Sequence, residues 1–306
     1  MFVVEDFTKE KKIFKYKNIS SNFMYLVKEA VADFFMDKPM FDKENFSFYF
    51  YDNYVTGLNV CDNHFINLYV EINQPKNIKA EGTVINKKPK KIKNNKVPDM
   101  HLPLKDIKNG LYEALINRLG ENSMLWKEPF CIRISTIEYY NGERINLWLK
   151  VTPCFKYINE RGVEGVIYYP KNMSDIRIEY PKLSLKNIEK KNIETSGLYK
   201  KYVLMFKNIY LAEYASHKKN KDYLTYDTLP FEIFESILYN VPNEIFTGLD
   251  KRSILFVINY IKNKSLKDFV SIDEQESLLF NKYKPMLFSY AKHALDVISN
   301  YLKFHI

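Results

Sequence analysis

Apolar residues follow two different periodicities along the chain, and the change falls near residue 190. Before it, alternating apolar and polar positions predict β-strands, because the side chains of a strand point to opposite faces in turn. The predicted strands are Phe46–Tyr51, Phe65–Ile72, Cys131–Tyr140 and Arg144–Phe155, with a further strand within Ile167–Pro181. The link Asp52–Thr56 is turn-like, and the polar, lysine-rich segment Lys76–Pro103 is predicted to be a loop.

Helical spacing, in which apolar residues recur every three or four positions, occurs in both parts. In the first part it predicts helices at Ser21–Met36 and Ile107–Leu119. In the second part it dominates, and it predicts helices at Ser196–Tyr214, Leu229–Asn240, Lys251–Asn263 and Lys282–Tyr301. We therefore expect an α+β protein with a mixed α/β domain over residues 1–190 and a helical domain over residues 191–306.

One short-range signal fixes the pairing of two strands. Asn141-Gly142 separates Cys131–Tyr140 from Arg144–Phe155, and Asn-Gly favours the tight turn that joins antiparallel strands. These two segments are predicted to form a β-hairpin.

Charge permits a polyanionic ligand without requiring one. The 306 residues include 46 Lys and Arg against 37 Asp and Glu, a net charge of +9. The most basic segment, Lys87–Lys96 (KKPKKIKNNK), could bind phosphate or act as a nuclear import signal. It contains no aromatic residue that would stack on bases, so a solvated loop is the alternative.

Motifs for several kinds of chemistry and location are absent from the sequence. The histidines have no metal-ligand spacing, there is no glycine-rich phosphate loop, and Cys61, Cys131 and Cys154 form neither a disulfide framework nor a metal knuckle. No metal site is expected. No apolar run has the length of a membrane span or a signal peptide. We expect a cytoplasmic protein, with the nucleus as the alternative.

Segments spread from about residue 20 to residue 300 resemble, in order, the cyclic GMP-AMP synthase-like (cGAS-like) nucleotidyltransferases, including the male-abnormal (Mab) branch. Within Asp52–Ile72, Gly57-Leu58-Asn59-Val60 resembles the family's Gly-Leu motif, and Phe65–Ile72 resembles the metal-binding strand. Arg144–Phe155 resembles the later strand that ends in Pro-x-Phe. In the helical part, the resemblance lies in Tyr202–Tyr210, Leu224–Ser236 and Lys264–Leu279. The resemblance implies a bilobal nucleotidyltransferase-like fold, with a twisted mixed sheet in one lobe and a helical bundle in the other.

The resemblance also locates the family's metal ligands. Two divalent cations assist nucleotidyl transfer in this family, and oxygen ligands from three carboxylates hold them. The matching positions here are Phe65, Asn67 and Lys150, and Asp52-Asn53 replaces the Gly-Ser that contacts the triphosphate. Asp62, in the preceding turn, is the nearby carboxylate. The three substitutions predict that the family's catalysis is lost.

The positions that contact nucleotide in the family are matched more closely in this sequence than the metal-ligand positions are. By resemblance, Lys207 contacts phosphate, Thr225 contributes a hydroxyl and Tyr226 stacks on a base, while Lys150 and Asn53 are further candidates. The alternative is that Lys207 is a surface lysine and that Tyr226 is a packing aromatic. We expect a nucleotide or a cyclic dinucleotide to bind without a metal cofactor.

The sequence thus predicts a catalytically inactive cGAS-like protein that acts as a nucleotide- or protein-binding module, with a protein partner. Two alternatives remain open. One is a nucleic-acid-binding protein or a modulator of innate immune nucleotide signalling. A viral source is one form of this alternative. The other is an active nucleotidyltransferase whose carboxylates have moved to new positions.

Overall fold

The computed structural model describes residues 16–35, 46–51, 53–58, 65–72, 104–119, 123–140, 143–168, 177–217, 232–275 and 287–305. These residues form two compact units. We call the described residues within 13–52 and 65–183 the sheet unit, and those within 53–64 and 184–306 the helical unit. The predicted basic loop Lys87–Lys96 and the turn Asn141-Gly142 lie outside the described residues, and the predicted domain boundary after residue 190 stays a prediction.

A seven-stranded mixed sheet forms the centre of the sheet unit. Its strands are β1 (Phe46–Phe50), β2 (Phe65–Ile72), β3 (Ser123–Lys127), β4 (Ile132–Tyr140), β5 (Glu143–Ile158), β6 (Glu164–Tyr168) and β7 (Arg177–Glu179). The main path runs β1-β2-β5-β4-β3, and β6 and β7 extend it from the far end of β5. Helices α1 (Tyr16–Phe35) and α3 (Leu104–Leu119) belong to the same unit and pack on each other.

Strand β5 is the longest of the described strands because it serves three neighbours. It pairs parallel with β2 and antiparallel with β4 along one part of its length, and antiparallel with β6 at its end. The predicted adjacency of residues 65–72 and 144–155 is confirmed, and so is the hairpin of β4 and β5. Buried aliphatic residues of the paired strands, such as Leu68, Leu149 and Val151, form one face.

The helical unit begins with the short helix α2 (Asn53–Thr56) and continues after residue 184. Its later helices are α4 (Pro181–Glu194, which starts in the sheet unit), α5 (Leu198–His217), α6 (Glu232–Tyr239), α7 (Lys251–Asn263) and α8 (Leu287–His305). Helix α5 is buried on most sides, with Tyr199, Tyr202 and Phe206 fully enclosed. Leu58, far away in sequence, belongs to the same core. The predicted α+β class with a C-terminal helical part is confirmed.

Some elements differ from the sequence prediction. The segment Ile167–Pro181, predicted to hold one strand, contains the end of β6, the short β7 and the first residue of α4. Asp52–Thr56 was predicted to be turn-like, and most of it is α2. Strand β3 and helix α4 were not predicted. Among the described residues, no helix is both long and apolar enough to cross a membrane.

Candidate functional site

The positions of the expected metal ligands lie side by side in the sheet. In the parallel pair of β2 and β5, Asn67 is directly opposite Lys150, and Phe65 is directly opposite Trp148. Because directly paired residues point to the same face, the amide and the ammonium group share one face of the sheet. The structure thus brings together the two strands on which the family resemblance had placed the site.

The row continues across β4 and β3. Arg133 of β4 is opposite Lys150, and Trp126 of β3 is opposite Arg133. Asn67, Lys150, Arg133 and Trp126 therefore form one line across four strands, which we call the cationic row. Trp126 stacks on Trp148 of the neighbouring row, with ring centroids 6.2 Å apart and planes 10° apart. The row combines two cationic side chains with one indole, which stacks on the indole of the neighbouring row.

Nearby groups set the electrostatics of the cationic row. The carboxylate of Glu128 forms an ion pair with the Arg133 guanidinium at 2.5 Å, and the ammonium group of Lys108 donates to the backbone oxygen of Glu128 at 2.6 Å. Burial raises the pKa of the Cys131 thiol to about 12, although the charges of Lys150 and Arg133 oppose that rise. On this face two cations, Lys150 and Arg133, stand against one carboxylate, Glu128, so this part of the face is positive and suits phosphate.

A second polar group lies further along the same face. Tyr49 and Tyr69 are directly opposite each other on β1 and β2 and stack at 5.4 Å. The Tyr69 hydroxyl donates to Glu179 at 2.8 Å. The buried carboxylate of Glu71 pairs with Lys182 at 3.1 Å. Desolvation is the main cause that raises the pKa of both tyrosines, so both hydroxyls stay protonated, and both carboxylates have partners.

Lys207 lies elsewhere, inside the helical unit. Its side chain is fully buried, and its ammonium group donates to Glu235 of α6 at 2.6 Å and to the backbone oxygen of Leu58 at 3.2 Å. The structure therefore shows Lys207 joining α5, α6 and the Gly-Leu segment. Its predicted phosphate contact stays a prediction.

The remaining predicted site residues are less fully described. Asn53 is the first residue of α2. Thr225, Tyr226 and Asp62 lie outside the described residues. Arg133, Trp148 and Glu235 were not predicted, although counting back from Asn141-Gly142 would have paired Arg133 with Lys150.

Comparison with known proteins identifies the helical segment. Residues 186–303 match the family of cGAS/DncV-like nucleotidyltransferase C-terminal helical domains. A curated relative, the cyclic UMP-AMP synthase of Rhodothermus marinus, is 33% identical over 118 residues, which span 38% of this chain and 38% of that protein. The chain therefore aligns with well under half of that relative's length.

Solved structures extend the likeness of fold to nearly the whole chain. The Rhodothermus marinus CdnE cyclic UMP-AMP synthase with Apcpp and Upnpp has a TM-score of 0.69 and 19% identity, covering 98% of this chain and 95% of that one. The Elizabethkingia meningoseptica CdnE cyclic dinucleotide synthase with GTP and Apcpp has a TM-score of 0.68 and 18% identity, covering 99% of both chains. The Escherichia coli CdnC:HORMA-deltaN complex has a TM-score of 0.56 and 10% identity, covering 93% and 83%.

These findings support the resemblance to cGAS-like nucleotidyltransferases, while the male-abnormal branch stays a prediction. The prediction of a catalytically inactive binding module, and with it the prediction that the chain is not an enzyme, is contradicted, because the relatives of stated activity are synthases. Three substituted positions do not establish a loss of activity, since a reaction can draw on groups at other positions.

Proposed function

We propose that this chain is a nucleotidyltransferase that joins nucleoside triphosphates into a cyclic dinucleotide. The observation that carries the proposal is the 33% identity to a cyclic UMP-AMP synthase over 118 residues. The fold shared with two cyclic dinucleotide synthases over nearly the whole chain supports it. An active enzyme was one of the alternatives that the sequence left open, there with carboxylates at new positions; the site proposed below differs from that version in relying on cations.

The cationic row is the proposed phosphate site. Lys150 and Arg133 stand opposite each other on adjacent strands, so two positive charges converge on the same face. Arg133 offers several donors in a planar fork that matches phosphate oxygens, and Lys150 adds a compact charge. The indole of Trp148, two residues from Lys150 on the same face, is placed to stack on a base. Asn53, Thr225 and Tyr226 stay predicted nucleotide contacts.

In the proposed reaction, a ribose hydroxyl oxygen of one nucleotide forms a bond to the α-phosphorus of a second. The bond from that phosphorus to the pyrophosphate oxygen breaks, and the hydroxyl proton passes to water. A second step of the same kind, from a ribose hydroxyl of the second nucleotide to the α-phosphorus of the first, closes the ring and releases a second pyrophosphate and a second proton. Negative charge grows on the leaving pyrophosphate. Fixed cations such as Lys150 and Arg133 stabilise that charge because they need no reorientation as it forms.

The described part of the cationic row does not fit a pair of divalent cations, although the family reaction implies them. At two of the three ligand positions stand Asn67, a neutral amide, and Lys150, a cation that repels metal. Among the described residues, no group of three or more His, Cys, Asp and Glu side chains could hold a metal ion. We therefore propose that nucleotide binds the row without metal, with its charge offset by Lys150 and Arg133.

Lys207 has a positioning role in this proposal. Its bond to the Leu58 backbone oxygen holds the end of the Gly-Leu segment against α5. Just before that segment lies helix α2, which begins at Asn53, one of the two residues that the resemblance matched to the triphosphate-contacting Gly-Ser. A protein partner, also predicted from the sequence, stays a prediction.

The test is incubation of the purified chain with radiolabelled pairs of ATP, GTP, UTP and CTP, with EDTA, Mg²⁺ or Mn²⁺ in separate reactions. We expect a phosphatase-resistant product from at least one pair, and its loss in Lys150→Ala. Lys105→Ala removes an exposed lysine of α3 and serves as the matched control. No product from any pair, under conditions where the Rhodothermus marinus synthase is active, would overturn the proposal.

A further inference from the structure

Helix α7 of the helical unit presents an exposed face that the proposed reaction does not use. The buried side of α7 is aliphatic, including Ile254, Val257 and Ile261, and it packs into the core of the helical unit. On the other side, Leu255 is 38% exposed and Phe256 is 51% exposed. Two large apolar side chains exposed next to each other on one helix indicate contact with something other than water.

Two aromatic rings follow each other on this side of α7: Phe256 is exposed, whereas Tyr260 is half-buried and packs partly against the core. Each of the two has a cation beside it. The Arg252 guanidinium lies 5.5 Å from the ring centroid of Phe256, and the Lys264 ammonium group lies 5.6 Å from the ring centroid of Tyr260. These four residues are spaced four apart, so they follow one another along neighbouring turns. We call Arg252, Phe256, Tyr260 and Lys264 the α7 ladder.

The surroundings of the α7 ladder are positive. Between residues 250 and 268 the chain carries five cationic and two acidic side chains. One of the acids, Asp250, is engaged at the start of α7, where it accepts from the backbone nitrogen of Ser253 at 3.1 Å and from its hydroxyl at 2.6 Å. Lys251, Lys262 and Lys267 are exposed. A groove of about 570 Å³ runs beside the first half of α7 and is lined by Asp250, Lys251, Arg252, Leu255, Phe256 and Asn259.

We propose that the α7 ladder is a binding site for single-stranded nucleic acid. Bases stack on exposed aromatic rings regardless of sequence, while lysine and arginine follow the phosphates. Rings four residues apart on a helix are separated by about 6 Å along its axis. That spacing accepts two splayed bases, whereas the bases of one strand in a duplex are about 3.4 Å apart.

An acidic protein segment is the competing occupant, since it too would be attracted by the positive charge. The two rings lie side by side with a cation at each end of the ladder, which favours nucleic acid, since a base can stack on the exposed Phe256 ring while the flanking phosphates meet Arg252 and Lys264. The two occupants differ in what they require of Phe256. A stacked base needs a ring there, and any large apolar side chain would serve a protein segment.

The experiment measures fluorescence anisotropy of the full chain with a 20-nucleotide labelled oligo(dT) and oligo(U) at 50 and 200 mM salt. We expect binding that weakens as salt rises. Phe256→Ala should weaken the affinity for the oligonucleotide about fivefold or more. A fivefold loss is about the lower end of the range expected when one stacked base is lost. Phe256→Tyr keeps the ring and should bind normally, whereas Phe256→Leu should resemble Phe256→Ala.

Charge is tested with a matched pair of variants. Arg252→Gln should reduce the slope of log K against log salt by about 0.7, the value for one phosphate contact on a single strand. Lys105→Gln, the same charge change on α3 of the sheet unit, should leave the slope unchanged. Circular dichroism confirms that each variant is folded.

Several outcomes would overturn the proposal. One is the absence of binding to either oligonucleotide at 50 mM salt, and another is binding that Phe256→Ala leaves unchanged. If labelled polyglutamate binds in a Phe256-dependent way and the oligonucleotides do not, the occupant is an acidic protein. Because the readout is binding and not synthesis, the result is independent of the proposed enzymatic function.

Discussion

Asn67 of β2 and Lys150 of β5 are directly opposite each other in a parallel strand pair, at two of the positions that the sequence resemblance matched to metal-binding carboxylates. An amide and a cation thus occupy the centre of the face where nucleotidyl transfer is proposed. The arrangement attracts phosphate oxygens directly, because the positive charge belongs to the protein side chain itself.

Lys150 should contribute strongly to nucleotide binding. A hydrogen bond to a charged group is worth about 1.5–3 kcal/mol, so Lys150→Ala should raise the Kd for a nucleoside triphosphate about tenfold or more. Calorimetry in EDTA measures this effect. Lys105→Ala should bind as the unmodified chain does, and equal affinity in both variants would exclude Lys150 from the site.

The buried pair of Lys207 and Glu235 should behave as a unit in unfolding experiments. Removing one partner leaves an uncompensated buried charge, so Lys207→Met or Glu235→Gln should cost about 3–5 kcal/mol. The double variant Lys207→Met with Glu235→Gln should cost much less than the sum of the single changes. Urea denaturation followed by circular dichroism gives the three values, and additive costs would show that the two side chains act independently.

Buried thiols should resist labelling at neutral pH. Burial raises the pKa of Cys131 to about 12 and that of Cys154 well above its usual value, and the thiolate is the reactive form. At pH 8, a thiol reagent should therefore modify at most one cysteine per native chain, which would be Cys61. In guanidinium it should modify all three cysteines. Rapid labelling of two thiols in the native state would contradict the burial of Cys131 and Cys154.

The same raised pKa predicts a loss of stability at alkaline pH. Above the usual thiol pKa of about 8.5, the unfolded chain releases the Cys131 proton while the folded chain keeps it. Unfolding then becomes easier as pH rises, up to the folded value of about 12. Cys131→Ala should flatten the fall in unfolding free energy between pH 8.5 and pH 10.5. An unchanged slope would show that other groups, such as the buried tyrosines, account for the effect.

Gly165 should not tolerate a side chain. A Cβ atom there would lie 2.6 Å from the backbone oxygen of Glu179 on β7, and backbone cannot move aside as a flexible side chain can. Gly165→Ala should cost about 1–3 kcal/mol, as overpacking does. Thermal unfolding compares this variant with Val166→Ala, which creates space at the next position and tests whether β6 is sensitive to any change.

The strands were the more predictable part of the fold. Strand β2 has the predicted bounds, Phe65–Ile72, because alternation over eight residues with aromatic and β-branched side chains is typical of a strand. Helix α4 was missed because its sequence is rich in lysine and its apolar stripe is thin. Pro181, which was interpreted as the end of a strand, is the first residue of that helix, a position where proline is favoured.

The candidate site was only partly predictable. The strand positions of Asn67 and Lys150 followed from the resemblance, and their adjacency followed from the expected sheet. The partner of Lys207 did not, because Glu235 is 28 residues away along the chain and no periodicity selects one carboxylate among many. The loss of three ligand positions suggested inactivity, but a local substitution carries no information about groups supplied from elsewhere.

Leu58 has a consequence for how this protein could be recombined with its relatives. Its side chain lies in the core of the helical unit and its carbonyl accepts from Lys207, although it lies more than a hundred residues before the segment that matches the helical-domain family. A chimaera that exchanges only residues 186–303 would therefore set a foreign core against a native Leu58. A successful graft needs two inserts, the helical segment and the short stretch around α2. The helical unit is therefore exchanged as two separate segments of the chain.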